Sequence, residues 1–246
     1  MQRIIAMLVA VCSAAVVVVA APGPARAADP SYPAGMYMWL RGNLGQQTTG
    51  GKVYQWNDWS GNGRNATMTV DARRPTLVNN ALGWAPAVRF SGAQSLNLPI
   101  PISATTFSIF IVGQNNNPGS SLSPVLGPGG MSPNNQLNWV GSSYVQVVGT
   151  SNNLPVIQAP VVNVGFHILG LVYNGSQLKF YRNSTLLHVA NATTTGPWVL
   201  AQIGAYYSQY FLTGDIVEIL VYPRALTDTE RTNTQNLIRG TYNLPA

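Results

Sequence analysis

The chain has 246 residues, 46% of them hydrophobic and only 8% charged, with 13 Lys and Arg against seven Asp and Glu and a single cysteine. The net charge of +6 comes from two lysines, Lys52 and Lys179, and from arginines scattered singly apart from Arg73-Arg74. No basic stripe interleaved with aromatics exists, which excludes the usual footprint of a nucleic-acid binder, and seven carboxylates leave little material for acid–base or metal chemistry.

Residues 1–27 read as a secretory signal peptide. Arg3 supplies the charged start, residues 4–21 form a charge-free apolar run, and Ala25-Arg26-Ala27 gives the small-x-small cleavage pattern. The run is nearly long enough to span a bilayer, so a retained N-terminal anchor is the alternative; no further apolar segment reaches membrane-spanning length. Cleavage removes Cys12 and two arginines, leaving a secreted chain of 219 residues with no cysteine and a net charge of +4. Such a chain is held together by its own core, and residues 28–246 fit one large β domain better than two small ones.

In chain order, residues 36–40 read as a first strand, residues 42–51 as a polar Gly-rich connection, and residues 53–56 as a second strand running into the Asn- and Gly-rich turn of residues 57–66. Leu77-Val78 follows, and residues 87–90 and 96–98 read as strands paired across Ser91-Gly92. Residues 107–112 are apolar on both alternating faces, as in a strand covered on two sides. Residues 113–138 carry loop-forming composition without strong periodicity. Strands are expected at residues 144–148 and 154–158. A meander then runs through residues 166–173, 177–182 and 186–190, with turns at Asn174-Gly175 and Asn183-Ser184. Residues 199–205 form a strand, and Tyr206 to Tyr210 a loop rich in tyrosine.

Residues 216–222 read as a central strand closed by Pro223. Thr227-Asp228-Thr229-Glu230 has capping-box spacing, with Thr227 as N-cap and Glu230 reaching back. The helix that follows lays Leu237, Ile238 and Tyr242 on the sheet, sets Arg239 at the negative end of its dipole and stops at Gly240. About a dozen short strands and one helix make the pattern of a two-sheet sandwich.

An ordered series of motifs resembles a known family: residues 38–41 (MWLR), 51–66 (GKVYQWNDWSGNGRNA), 74–77 (RPTL), 86–90 (PAVRF) and 214–231 (GDIVEILVYPRALTDTER). Their order and spacing are similar to laminin G-like domains of the concanavalin A-like lectin and glucanase superfamily. The resemblance implies an all-β fold, a concanavalin A-like jelly-roll sandwich of two antiparallel sheets with one short C-terminal helix, whose concave face and edge loops often hold carbohydrate. The superfamily also includes adhesive, structural and enzymatic members, so fold does not decide function. Many members carry an aspartate after the Val-Arg-Phe strand; Ser91-Gly92 stands there instead, which argues against a calcium site.

Glycoside hydrolysis needs two carboxylates facing one bond. Asp215 and Glu218 are three apart on a strand, which alternation sends to opposite faces, and the Glu-x-Asp-x-Glu string of related glucanases is absent. If the chain were a polysaccharide-degrading hydrolase or lyase, the candidates would be Glu218, or a His188, Tyr181 and Arg182 group acting on a uronate. The competing account is a buried structural carboxylate and satisfied core histidines, His167 and His188. Cofactors are expected to be none. Calcium is the one metal with a case, at Asp58, Asn57 and Asn62, but only one of the three is charged, and an Asp58 that accepts backbone N–H bonds explains the turn as well. Four Asn-x-Ser/Thr triplets, at Asn65, Asn174, Asn183 and Asn191, carry little weight in a chain of this composition.

Exposed aromatics flanked by amides are the groups that stack on sugars. Trp139, Tyr144, Tyr206, Tyr207 and Tyr210 lie in or beside polar sequence. The expectation is therefore a secreted, non-catalytic glycan-binding domain acting through these residues, with no nucleic-acid partner and no membrane contact beyond the leader. A polysaccharide-cutting enzyme and an adhesive surface protein that binds another protein are the alternatives.

Overall fold

The computed structural model describes residues 31–120, 122–130, 134–149, 154–162, 164–207 and 209–245. The leader expected at residues 1–27 lies outside the described residues. Among the described residues no helix is long and apolar enough to cross a membrane.

The elements in chain order are β1 (Met38–Leu40), β2 (Gln46–Thr49), β3 (Lys52–Trp56), β4 (Ala66–Thr67), β5 (Thr76–Leu82), β6 (Ala85–Ser91), β7 (Leu96–Ala104), β8 (Phe107–Asn115), β9 (Ser123–Gly127) and β10 (Asn135–Val140). They continue with β11 (Tyr144–Gly149), β12 (Leu154–Pro160), β13 (His167–Tyr173), β14 (Gln177–Arg182), β15 (Thr185–Asn191), β16 (Trp198–Ile203), β17 (Ala205–Tyr206), β18 (Tyr210–Phe211), β19 (Thr213–Tyr222) and the helix α1 (Asp228–Tyr242).

One sheet has β19 at its centre. β8 lies on one side, with β13, β14 and β15 beyond it, while β1 and β6 share the other side, with β5 outermost. The other sheet runs β2, β3, β4, β7, β16, β9, β10, β11, β12. Among the described residues the pairing of Lys52 with Thr76 joins the two, so the strands make one nearly closed antiparallel surface flattened into a sandwich. The larger core lies between the sheets and includes Trp56, Phe90, Ile111, Leu137, Trp139, Leu169, Phe180 and Ile219. A smaller core lies outside the first sheet, where Trp39, Phe110, Ile168, Val217 and Leu220 meet Ile238 and Tyr242 of the helix.

The doubly apolar runs behave as their composition requires. β8 and β19 are flanked by strands on both sides and covered by a core on each face, which is why neither shows a wet alternation. The helix begins with the full reciprocal cap between Thr227 and Glu230. It runs through Gly240 and ends at Asn243, whose backbone is left-handed (φ 51°), and its buried residues are Thr234, Gln235, Ile238 and Tyr242 rather than Leu237.

Two expectations fail on pairing. β6 and β7 are not partners across Ser91-Gly92: β6 pairs with β5 and β19, whereas β7 pairs with β4 and β16 in the opposite sheet. A chain reversal between sheets looks like a hairpin in sequence because both present an apolar run, a Gly turn and another apolar run. Residues 113–138, expected as loops, contain all of β9 and the first residues of β10.

Candidate functional site

The carboxylates come first because an enzyme would need them. β19 carries a bulge between Ile216 and Glu218 against β8. Ile216 and Ile219 pack between the sheets while Val217 and Leu220 pack under the helix, so the bulge resets the alternation. Asp215 and Glu218 therefore end on the same, helix-facing side, not on opposite faces. They still do not form a catalytic pair. Arg89 grips Asp215 with two bonds of 2.7 and 2.9 Å, and Gln114 donates a third of 3.0 Å. Burial alone would raise the Asp215 carboxyl, but the bonds from Arg89, Asn116 and Gln114 outweigh it and hold the group below its ordinary range.

Glu218 is fully enclosed and accepts from Trp39 Nε1, with the Tyr242 hydroxyl facing the same carboxyl. Burial pushes its pKa upward, against the pull of Tyr242, Trp39 and Arg41. It is a tether that fastens the end of the helix to the sheet, and no substrate reaches it.

The His188, Tyr181 and Arg182 group is dispersed. His188 lies opposite Phe180, ring to ring at 6.0 Å, on the core side of β14 and β15. Tyr181 points the other way, towards the helix, under the Arg231 guanidinium at 4.3 Å. Arg182 donates to the Val162 carbonyl at 3.0 Å.

The turn at Asp58 is built by the carboxylate itself. Its Oδ1 accepts from the Trp39 and Ser60 backbone N–H groups, and Oδ2 from the Ser60 hydroxyl and the Arg64 N–H, at 2.8–2.9 Å. The Asn57 side-chain oxygen accepts from Gln55, and the Asn62 amide donates to the Met36 and Tyr37 carbonyls. The Asp58 carboxylate, the one charged group of the three, is filled by these four bonds and the Asn57 oxygen already accepts from Gln55, so the turn offers no free anionic ligand for a calcium ion.

The aromatics divide sharply. Trp139 is 0% exposed: it faces inward from β10, and its six-membered ring fits the notch left by Gly113 and Gly214, where a Cβ would stand 2.9 and 3.2 Å from it. It is a core residue and does not stack on a sugar. Tyr144, by contrast, is 47% exposed and Tyr210 49% exposed. Tyr206 stacks on Tyr210 with ring centroids 5.8 Å apart, and Tyr207 beside them holds a left-handed backbone at φ 54°. Ser208 between them lies outside the described residues. This small hairpin of β17 and β18 crosses β9 so closely that a Cβ at Gly127 would stand 2.2 Å from the Ala205 carbonyl, a contact only glycine permits.

Tyr144 does not stand alone. It points away from the core, because Val145 and Val147 point into it, and Gln146 follows on the same face. Register places Gln146 between Asn138 and Gln158 on the neighbouring strands. Asn138 donates to the Gln146 side-chain oxygen at 3.2 Å, while Gln158 is exposed and has no hydrogen-bond partner among the described residues. Farther along the same sheet, Gln47, Gln55, Thr67, Asn97 and Gln202 are paired in one continuous register, and Gln202 donates to Asn97 at 3.1 Å. The outer face of this sheet is thus crossed by side-chain amides, buried at its centre at Gln136, Asn138 and Gln202 and open towards Asn97 and Gln158.

Sequence inspection missed this row. Its signal was the alternation Gln136-Leu-Asn-Trp139 and Tyr144-Val-Gln-Val147, in which every second residue is apolar and faces the core.

No protein-family model matches the chain, and no curated protein matches it in sequence. Solved structures do share its shape. Domain 4 of AbnA, a GH43 extracellular arabinanase from Geobacillus stearothermophilus solved with arabinotriose, superposes with a TM-score of 0.58 at 15% identity, over 80% of this chain and 97% of that one. Trypanosoma rangeli sialidase solved with sialic acid gives a TM-score of 0.59 at 16% identity, over 85% of this chain and 33% of the sialidase. At these identities the likeness is one of fold, a β-sandwich with jelly-roll character. The chain spans nearly all of the arabinanase domain and about a third of the sialidase.

Proposed function

We propose that this domain binds glycans without cutting them, as an exported laminin G-like, concanavalin A-like module. The ligand would lie on the outer face of β11 and β12 and against the tyrosine hairpin. The observation that carries this is the grouping of Tyr144, Gln146 and Gln158: a half-exposed ring beside two amides, on a rigid sheet, without a titratable pair. Cross-strand neighbours lie about 5 Å apart and alternate residues about 7 Å, so one sugar ring stacked on Tyr144 has both amides within reach of its hydroxyls. The Tyr206 and Tyr210 stack, on the separate hairpin that crosses β9, supplies a second aromatic platform. Two proteins that share the fold were solved with arabinotriose and with sialic acid, which supports carbohydrate as the ligand class.

The enclosure of Glu218 and the divergence of His188, Tyr181 and Arg182 support binding over cleavage. The test is a glycan array probed with the purified protein, followed by a reducing-end assay on whatever is retained. Binding with no release of fragments is the expected result; sustained release of sugar ends would overturn the proposal.

A further inference from the structure

We infer that the ligand is uncharged, a neutral polysaccharide rather than a uronate- or sialate-bearing one; this rests on the glycan-binding proposal above and narrows it. Residues 90–178 contain no Asp, Glu, Lys or Arg. That stretch supplies β7 and β9 to β12, five of the nine strands of the amide-bearing sheet, so the face around Tyr144 is neutral by construction.

Among the described residues most of the cations are committed elsewhere, although Arg182 is tied to the Val162 carbonyl just past the end of β12. Arg89, Arg224 and Lys52 are paired with Asp215, Glu230 and Asp71, and Arg64 lies 3.6 Å from the Tyr37 ring centroid. Arg73 is the one that approaches the tyrosine hairpin, 5.8 Å from the Phe211 ring. Phe211 pairs with Ala205 while Tyr210 pairs with Tyr206, so alternation turns Phe211 and its arginine away from the stacked tyrosines.

A carboxylate-bearing sugar is normally met by an arginine fork or a lysine, because desolvating an anion against amides alone is costly. Hydroxyls need only what this face has: the free amide of Gln158, the amide nitrogen of Gln146, whose oxygen is already used by Asn138, and a ring for the C–H surface. A face built from residues 90–178, which carry no charged side chain, is matched to a ligand with no charge to neutralise.

The experiment compares retention of the purified protein on neutral polymers (an arabinan, a xylan, a β-glucan) with retention on acidic ones (polygalacturonate, polysialic acid), at low salt and at about 1 M salt, where the Debye length falls to about 3 Å. We expect binding to at least one neutral polymer, unchanged by salt, weakened about tenfold by Gln158→Ala and by Gln146→Ala, and unaffected by Arg73→Gln. Binding confined to acidic polymers, lost in high salt or with Arg73→Gln, overturns this inference and leaves glycan binding standing. Retention on neither class at either salt overturns both.

Discussion

The two sheets of the sandwich spend their polar residues in opposite ways. Outside the first sheet lie three charged or titratable groupings: Glu218 with Trp39 and Tyr242, Asp215 with Arg89 and Gln114, and Tyr181 under Arg231. Each is consumed in fastening one element to another. Outside the second sheet the polar side chains are mostly amides, bonded largely to one another with Gln158 left exposed, and tyrosines stand among them. Side chains that look catalytic in sequence hold elements together here, and the bland Asn- and Gln-rich stretches carry the proposed recognition face. Substitutions on the first face should move stability and not binding. Those on the second should do the reverse.

The largest effect tests the boundary between the two. Trp139 belongs by sequence to the amide-bearing sheet but by direction to the core. Trp139→Ala should cost about 4 kcal/mol, or roughly 8 to 16 °C in melting temperature for a domain of this size. Trp139→Phe, which still fills part of the notch made by Gly113 and Gly214, should fold and bind glycan as the parent does. A Trp139→Phe variant that melts normally but no longer binds would return this indole to the binding surface.

Much of the fold was legible, for identifiable reasons. The reciprocal cap at Thr227 and Glu230, the Asn174-Gly175 hairpin and the doubly apolar β8 and β19 are local signals, and each was realised locally. What sequence did not reveal depends on partners. The bulge at Ile216 to Glu218 is a mismatch between two strands, invisible in either one alone, and it reverses which face a carboxylate takes. The β6 to β7 connection crosses between sheets where a hairpin was expected, because long-range pairing with β19 and β16 wins over proximity. Of the site, the exposure of Tyr144 and Tyr210 was anticipated, and the stacking of Tyr206 on Tyr210 was not. The amide row was not, since it forms only when register aligns single Gln and Asn residues from strands far apart in sequence.

A second test uses pH. His167 opens β13 fully buried, 6.1 Å from the Trp139 ring, with Nδ1 2.9 Å from the Gly165 carbonyl. Burial drives its pKa down to about 4 from 6.5; the Gly165 bond opposes this and the Arg182 charge adds to it. The unfolded chain takes up this proton as pH falls below 6.5 while the folded chain refuses it until about 4. Stability from this group is therefore complete above 6.5 and lost on acidification, by about 3 kcal/mol.

Glu218 works in the opposite sense. Its raised pKa means that the unfolded chain ionises first, so its contribution falls as pH rises above 4.5. The two slopes overlap, and only a difference separates them. Denaturation of His167→Gln beside the parent should show a stability gap that is wide at pH 7 and closes towards pH 4; parallel curves would mean that the histidine is solvated. At neutral pH, Glu218→Ala should cost about 2 kcal/mol by leaving the Trp39 N–H and the Tyr242 hydroxyl without their acceptor, with glycan retention unchanged.

The smallest shifts in stability fall on the other face, where binding is what should respond. Tyr144→Ala and Tyr210→Ala remove rings that are half in solvent, so each should move stability by no more than about 0.5 kcal/mol while weakening glycan binding by about 1 to 2 kcal/mol, as loss of a stacking anchor does. Tyr207 separates strain from contact. A tyrosine held at φ 54° pays about 1 kcal/mol for its left-handed backbone, and glycine would relieve that but cost a similar amount in unfolded-chain entropy. Tyr207→Gly should thus leave the melting temperature nearly where it was and lower affinity alone. If affinity survives in all three variants, the ligand does not touch the tyrosines, and the amides of Gln146 and Gln158 must bind it without them.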